Sequence, residues 1–393
     1  ALDRIQPLFT EENPALFRRP AGALPLVIPL AVSGLGGRGL ARVAPLLDQA
    51  GFLPVPSGSA GDGGDPAVAL EPGSAVGLKL VRGDIEMTAT GTVTWVEGDR
   101  VLAFGHPLFG LGAVDLPMTG ATVQALLPSL ARSARIATPL GELGAVRQDR
   151  NAGVLGRLGA RPRMIPVRFQ LTGPGREERV YSFDVADDPL LSPLLLYASL
   201  NGILASRERP MGNVTVRLKE GSVIKMDAGQ DVSLDNLYAG TRAVAYGTGV
   251  AAYILHLLMN NSWTQPRIAG VNLILEYDDA PRSGLIRRAS LDRYRARPGE
   301  TLEAAVVLSS YRGGERVLTT RLKIPEETPP GRLTLHVGGA VEVSRSEVRD
   351  EPVFPRDLDQ LIRLINQLRR NDRIYIAATR EDSGVVLQGS RLP

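Results

Sequence analysis

The sequence predicts a mainly β protein of two or three domains. Its 393 residues include 43 glycines and 29 prolines, a composition that favours short strands joined by turns. Segments in which apolar and polar residues alternate recur between these turns. Because 44% of the residues are hydrophobic, the chain can bury a sizeable core.

The first 210 residues contain most of the strand signals. Strands are expected at 26–32, 75–81, 85–96, 100–104, 164–172 and 179–185, the last two forming a hairpin. Helices are expected over 39–51, where leucine and valine recur at helical spacing, over 123–130 and over the leucine-rich segment 190–206. The Gly/Ser/Asp run from Ser57 to Asp65 is typical of a flexible linker.

The remaining residues predict a second β domain. A strand at 213–218, a turn at 235–240 and an Ala/Gly-rich helix at 243–260 precede regularly spaced strands at 271–277, 284–294, 301–309, 316–324 and 332–337. That spacing is typical of an immunoglobulin-like β-sandwich. We therefore expect an N-terminal segment and linker at 1–66, a first domain at 67–210, a sandwich at 211–349 and a C-terminal helix and strand at 350–393.

The C-terminal helix is expected to start at Asp357 and to carry an apolar stripe. This stripe comprises Leu358, Leu361, Ile362, Ile365 and Leu368. It is expected to pack onto the sandwich or onto a partner.

The stretch Ala103 to Gly110, which reads Ala-Phe-Gly-His-Pro-Leu-Phe-Gly, carries the first candidate functional residue. His106 follows a predicted hairpin and lies between Gly105 and Pro107, two residues that favour turns. A histidine at such a corner can take and return a proton near neutral pH. Of the other two histidines, His256 is expected in a helix core and His336 on a strand, with no functional role.

Two segments resemble the SpoIVB-type serine peptidases. The matching residues are Gly91-Thr92-Val93-Thr94 running into Phe104-Gly105-His106, and the later segment from Gln148 to Gly156. The resemblance covers about residues 73–217. It implies a chymotrypsin-like β-barrel fold in which His106 is the general base of a Ser/His/Asp arrangement.

The nucleophile of that family, which lies in a Gly-Met-Ser-Gly-Ser-Pro type of turn, has no match in the sequence. Ser59 belongs to the linker, and Ser199 lies downstream of the histidine without the flanking glycines that let backbone N–H groups converge on an oxyanion. Asp115, nine residues after His106, is a candidate to orient the ring, although such an aspartate more often caps a turn. His106 is therefore the main catalytic candidate, with Asp115 and Ser199 as weaker ones.

The composition of the chain argues against several other kinds of functional site. The chain has no cysteine, which excludes disulfides, thiolate metal sites and cysteine catalysis. Eight arginines between Ala131 and Arg168 form a basic interval without aromatic residues, so we expect a solvated or protein-facing surface and no nucleic-acid binding. The glycine-rich stretch 110–120 lacks the lysine of a phosphate-binding loop. We expect no cofactor, no metal site and no membrane span.

Two functions remain open at this point. In the first, the chain is part of a SpoIVB-like serine endopeptidase acting on a protein or peptide, and the serine is supplied by a segment outside the chain, such as an upstream fragment of the same precursor. In the second, it is a non-catalytic exported scaffold that binds another protein. Both agree with a periplasmic or extracellular location, and the first residue, Ala1, is what a processed or truncated product would show.

Overall fold

The computed structural model is mainly β, with several sheets and five helices in the part of the chain that it describes. That part comprises residues 28–58, 69–127, 134–207, 212–350, 355–380, 385–387 and 390–392. The candidate Ser59 and most of the predicted linker lie outside the described residues.

The described helices are 9 to 17 residues long. They are α1 (Gly36–Gln49), α2 (Leu191–Arg207), α3 (Ala243–Met259), α4 (Ala340–Asp350) and α5 (Leu358–Asn366). The helices predicted at 39–51, 190–206 and 243–260 and the one starting at Asp357 are confirmed. The side chain of Asp357 accepts the backbone N–H of Gln360 and so caps α5.

The described strands number twenty-two. Up to the start of α2 they are β1 (Ile28–Ser33), β2 (Phe52–Pro56), β3 (Ala75–Gly83), β4 (Glu86–Glu97), β5 (Arg100–Ala103), β6 (Gly112–Leu127), β7 (Ala134–Arg150), β8 (Gly153–Leu158), β9 (Met164–Thr172) and β10 (Arg179–Ala186). After α2 they are β11 (Val214–Leu218), β12 (Val223–Met226), β13 (Val232–Ser233), β14 (Asn236–Gly240), β15 (Ile268–Asp278), β16 (Gly284–Leu291), β17 (Thr301–Ser310), β18 (Glu315–Lys323), β19 (Leu333–Gly338), β20 (Tyr375–Arg380), β21 (Val385–Leu387) and β22 (Ser390–Leu392).

Six of these strands pair into a closed ring. Strand β3 pairs with β4 on one edge and with β6 on the other, and the circuit continues from β6 through β7, β8 and β5 back to β4, with every pair antiparallel. Many of the buried positions of the ring are apolar, for example Leu78, Met118 and Val101. The ring positions the loop that carries His106, because that loop connects β5 to β6.

The same large sheet continues beyond the ring. The second half of β3 pairs with β10, which pairs with β9, and β9 runs parallel to β15. Strands β11 and β12 then pair with β15. Strands between 214 and 278 therefore lie in the sheet that begins before residue 210, and the expected boundary at 210/211 falls within a continuous fifteen-stranded sheet.

Helix α2 lies at the centre of the packing on this sheet. It contacts α1, α3 and β10, and almost every residue from Leu191 to Ala205 is buried. Glycines allow the close approach of α1 to α2, because a side chain at Gly39 would lie 2.5 Å from the carbonyl oxygen of Gly202. The apolar residues of α2 and α3 thus cover one face of β10, β11 and β14.

Three small sheets follow the large one among the described residues, and the last of them is the antiparallel pair of β21 and β22. Strands β16, β17 and β18 form an antiparallel sheet, and β19 pairs with β20. Helix α5, in contrast, returns to the large sheet, where Ile362 and Ile365 join the main core beside β13. The strand that α5 meets, β13, lies within the range 211–349 expected for the sandwich but belongs to the large sheet.

Three local predictions are also corrected. Residues 123–127 continue strand β6 because they pair with β7, so the predicted helix at 123–130 is wrong for the part that is described. The expected turn at 235–240 is mostly strand β14, which pairs with β11. The glycine-rich stretch 110–120 is largely the start of β6, whose irregular register accommodates its glycines.

Candidate functional site

The candidate site is the sharp corner that follows strand β5. Phe104 and Gly105 both adopt left-handed backbone conformations, with φ of +73° and +69°. Such a conformation is strained in a phenylalanine and needs support from its surroundings. The N–H of Phe104 donates to the carbonyl oxygen of Thr92 at 2.9 Å, and its ring lies over Gly91, where a Cβ atom would approach the ring to 2.6 Å.

The start of strand β8 supports the corner from the other side. Gly153 has φ of +140°, and a Cβ atom there would lie 2.7 Å from the carbonyl oxygen of Ala103 and 3.3 Å from the nitrogen of Gly105. Only a residue without a side chain fits this contact. Gly153, which belongs to the later segment that matches the family, is therefore required by its packing against the corner at Phe104 and Gly105.

His106 is half-buried, and one of its two ring nitrogens has a defined partner. Its Nδ1 lies 2.8 Å from the carbonyl oxygen of Pro107. Because a carbonyl oxygen only accepts hydrogen bonds, Nδ1 must carry the hydrogen. In the neutral ring the lone pair is then on Nε2, which has no hydrogen-bond partner among the described residues, so this nitrogen can accept a proton.

Asp149 fixes the loop that follows His106. Its carboxylate is fully buried and accepts four successive backbone N–H groups. The distances to the nitrogens of Leu108, Phe109, Gly110 and Leu111 are 2.7, 2.8, 2.8 and 3.2 Å. Hydrogen bonds to a charged acceptor in a buried site are among the strongest in proteins, so this carboxylate holds the loop in one conformation.

Apolar contacts anchor the same loop. Leu108 is 5% exposed and belongs to the main core. The ring of Phe109 meets the ring of Phe52 edge-on, with 5.2 Å between the ring centres. The loop is therefore held by the buried carboxylate of Asp149 and by the apolar contacts of Leu108 and Phe109, which together fix the position of His106.

The role of Asp149 was not predicted from the sequence. The residue belongs to the segment Gln148 to Gly156 that carries the family resemblance, but no function was assigned to it. The sequence pattern gives no signal for this role, because the burial of Asp149 follows from the register that pairs it with the buried, apolar Val154. A carboxylate at such a position requires several hydrogen-bond donors.

Asp115, expected to orient the histidine ring, is engaged elsewhere. It forms an ion pair with the guanidinium of Arg147, and it accepts the backbone N–H of Arg163 at 2.9 Å. Among the described residues, none of its hydrogen bonds is to His106. In this structure the ring is oriented by the Pro107 carbonyl group.

Ser199 lies in the middle of α2 and is 0% exposed. Its hydroxyl has no hydrogen-bond partner within the described part of the chain. The structure therefore does not pair it with His106. The hydroxyl also lacks the access that a nucleophile needs to reach a polypeptide substrate.

The two remaining histidines lie on other elements. In α3, Nδ1 of His256 is 3.1 Å from Nδ2 of Asn260, and burial lowers the pKa of this histidine below its ordinary value. Nε2 of His336 on β19 is 3.0 Å from the hydroxyl of Thr379 on β20. Each makes a local contact that explains its position.

The described residues show neither a metal site nor a membrane-spanning helix. Across the residues that the structure describes, no group of three or more histidine or acidic side chains could hold a metal ion. Within the same ranges, none of the helices has the length and apolar character needed to cross a bilayer.

Comparisons of the chain with protein-family models, with curated proteins and with solved structures gave no match.

Proposed function

We propose that this chain is the histidine-bearing part of a SpoIVB-like serine endopeptidase, with His106 as general base. The observation that carries the proposal is the hydrogen bond from Nδ1 of His106 to the Pro107 carbonyl oxygen, which leaves Nε2 as the basic nitrogen. The nucleophilic serine is supplied by a segment outside these 393 residues, and the substrate is a protein or peptide.

In this proposal the chemistry is acyl transfer. The serine hydroxyl oxygen bonds to the carbonyl carbon of the scissile peptide while its proton moves to Nε2 of His106. The ring then gives that proton to the leaving amine nitrogen as the C–N bond breaks. Water later attacks the acyl-enzyme by the same route and regenerates both groups.

The architecture around His106 supports this assignment. A general base is effective when it is held close to one geometry, and Asp149 together with Leu108 and Phe109 provides such a support. We further propose that the closed ring of six strands corresponds to a chymotrypsin-like β-barrel. The protein would act in the periplasm or outside the cell.

The second domain is proposed to be a small immunoglobulin-like sandwich made by the strands after residue 283. Its two layers are the sheet of β16, β17 and β18 and the pair of β19 and β20. A cavity of about 230 Å³ lies between them and is lined by side chains of both layers, including Leu291, Val306, Leu335 and Ile376.

A non-catalytic exported scaffold remains the alternative function. Three observations favour it: within the described residues, His106 has no hydroxyl partner, Ser199 is buried in α2, and Asp115 is paired with Arg147. In the scaffold interpretation, the buried carboxylate of Asp149 shapes a loop for recognition, and no proton is transferred.

A fluorophosphonate probe separates the two functions because it labels only an activated serine. We expect the 393-residue chain alone to remain unlabelled and to leave casein intact. A longer natural form that contains the serine turn should react with the probe, and His106→Ala should abolish this reaction while His336→Ala should not. Labelling of the isolated chain would point to a nucleophile within it, with Ser199 tested first. An unreactive longer form would favour the scaffold, whereas full labelling of its His106→Ala variant would show that His106 is not the general base.

A further inference from the structure

The outer face of the ring carries a patch in which aromatic, aliphatic and basic side chains are arranged in two rows. The first row crosses three neighbouring strands as Trp95, Leu102 and Leu155. The second row runs beside it as Glu97, Arg100 and Arg157. We call these six residues the Trp95 patch. All six point to the same side, because within each strand the two members are two residues apart.

A β-bulge places the tryptophan on this face. The register between β4 and β5 shifts between Val93 and Trp95, so that Val93 pairs with Ala103 and Trp95 pairs with Leu102. Val93 is 2% exposed and faces inward. With unbroken alternation Thr94 would face outward and Trp95 inward. The bulge turns Trp95 outward, where it is 42% exposed, and Thr94 is exposed as well.

Two positive charges lie next to each other on the patch. Arg100 and Arg157 are direct register partners on antiparallel strands, and both are exposed. Like charges at directly opposed positions destabilise a sheet. Within the described residues, neither guanidinium forms a side-chain hydrogen bond or an ion pair. The sheet thus keeps an unfavourable pair that a ligand with a carboxylate group would turn into a favourable one.

We propose that the Trp95 patch binds an acidic polypeptide segment. An apolar side chain of that segment would cover Trp95 and Leu102, and a carboxylate would bridge the guanidinium groups of Arg100 and Arg157. Charge complementarity selects this partner, since the two guanidinium groups of the patch outnumber its single carboxylate, that of Glu97, which is the register partner of Arg100 alone. Tryptophan and arginine are also the residues that contribute most at protein interfaces.

Single-stranded nucleic acid is the competing partner, and the composition of the patch disfavours it. Nucleic-acid surfaces of this kind stack successive bases on several aromatic rings. Here one aromatic ring is followed along its row by Leu102 and Leu155, which offer aliphatic surface. The inference does not depend on the proposed peptidase activity, because none of the six residues belongs to the His106 corner.

The test uses tryptophan fluorescence, because Trp95 and Trp263 are the only two tryptophans of the chain. In a Trp263→Phe background, the emission reports on Trp95 alone. The probes are an acetylated peptide of Glu-Glu-Leu repeats, the matching Lys-Lys-Leu peptide and an oligothymidylate of similar length. We expect the acidic peptide to change the emission saturably, with an affinity that falls as salt is added.

Variants of the 393-residue chain then locate the site. The double variant Arg100→Gln/Arg157→Gln should weaken binding of a fluorescein-labelled acidic peptide by at least about tenfold, and Trp95→Ala by a similar factor. Two substitutions outside the patch are the matched controls and should leave the affinity unchanged. They are Arg316→Gln, which replaces an exposed arginine on β18, and Trp263→Ala, which replaces a tryptophan that is 41% exposed.

Three results would overturn the inference. These are no saturable binding of the acidic peptide, equal loss of binding in the control variants, and tighter binding of oligothymidylate than of the acidic peptide. Circular dichroism of each variant shows that a loss of binding is not a loss of fold.

Discussion

The carboxylate of Asp149 accepts the backbone N–H of Leu108, 41 residues away in the chain, at 2.7 Å. Three further N–H groups of the same loop reach this carboxylate. A single side chain of β7 therefore supplies the polar anchor of the segment that follows His106.

Replacing Asp149 with asparagine should destabilise the protein strongly. The amide would turn a donor toward N–H groups that need an acceptor and would remove the negative charge, leaving buried donors unsatisfied. We expect a loss of about 2–4 kcal/mol in the free energy of unfolding, measured by denaturant titration. Asp115→Asn, at a partly exposed ion pair, is the control and should cost less. Equal losses in the two variants would contradict the anchoring role.

The contact between Gly91 and Phe104 gives a second prediction. Gly91→Ala would place a methyl group 2.6 Å from the Phe104 ring and displace the corner, at a cost of about 1–3 kcal/mol. Gly37→Ala in α1 meets nothing within 4 Å and should stabilise the helix by about 0.5–1 kcal/mol. Thermal unfolding should therefore shift in opposite directions for the two variants, and a shift in the same direction would argue against this packing.

His256 predicts a pH dependence of stability. Burial lowers the pKa of the folded-state ring below its ordinary value of 6.5, so the unfolded chain binds more protons in the interval between the two pKa values. Its contribution to stability is complete above about pH 6.5 and is lost as the pH falls through the folded pKa.

The pH prediction is tested on His256→Gln. Between pH 7.5 and 5 this variant should lose less stability than the parent protein. If the free energy of unfolding of His256→Gln changes with pH just as that of the parent does, His256 does not contribute to the pH dependence of stability.

A substitution at Ile362 tests whether α5 packs against the large sheet. It is 1% exposed in the main core, so Ile362→Ala should lower the free energy of unfolding by about 2–4 kcal/mol. Leu361→Ala removes a partly buried side chain of the same helix and should cost less. If both variants unfold like the parent, α5 is not part of the main core in solution.

The continuous sheet also predicts how a fragment behaves. A chain from Met211 to Pro393 lacks β9, the parallel partner of β15, and exposes the apolar surface that α2 covers. We therefore expect no cooperative thermal transition from this fragment, in contrast to what the turn-punctuated pattern alone suggests. A sharp transition in calorimetry would show that the strands after 211 find another partner.

Local features were predictable from the sequence because they depend on nearby residues. The helical spacing of leucines in α1 and the Asp357 cap of α5 are examples. The position of Asp149 under the His106 loop depends on the register of β7 against β8, and the exposure of Trp95 depends on a bulge. Both arise from pairing between distant strands, which alternation in one segment does not specify.

The pairing of β9 with β15 has a consequence for biosynthesis. Val167 pairs with Val271, so β9 leaves the ribosome long before its partner strand exists. Contacts between residues so far apart in the chain form slowly, and until then β9 presents an unpaired edge. During translation this edge can pair with a neighbouring nascent chain, so the yield of correctly folded protein should depend on expression rate and on chaperones that shield exposed strands.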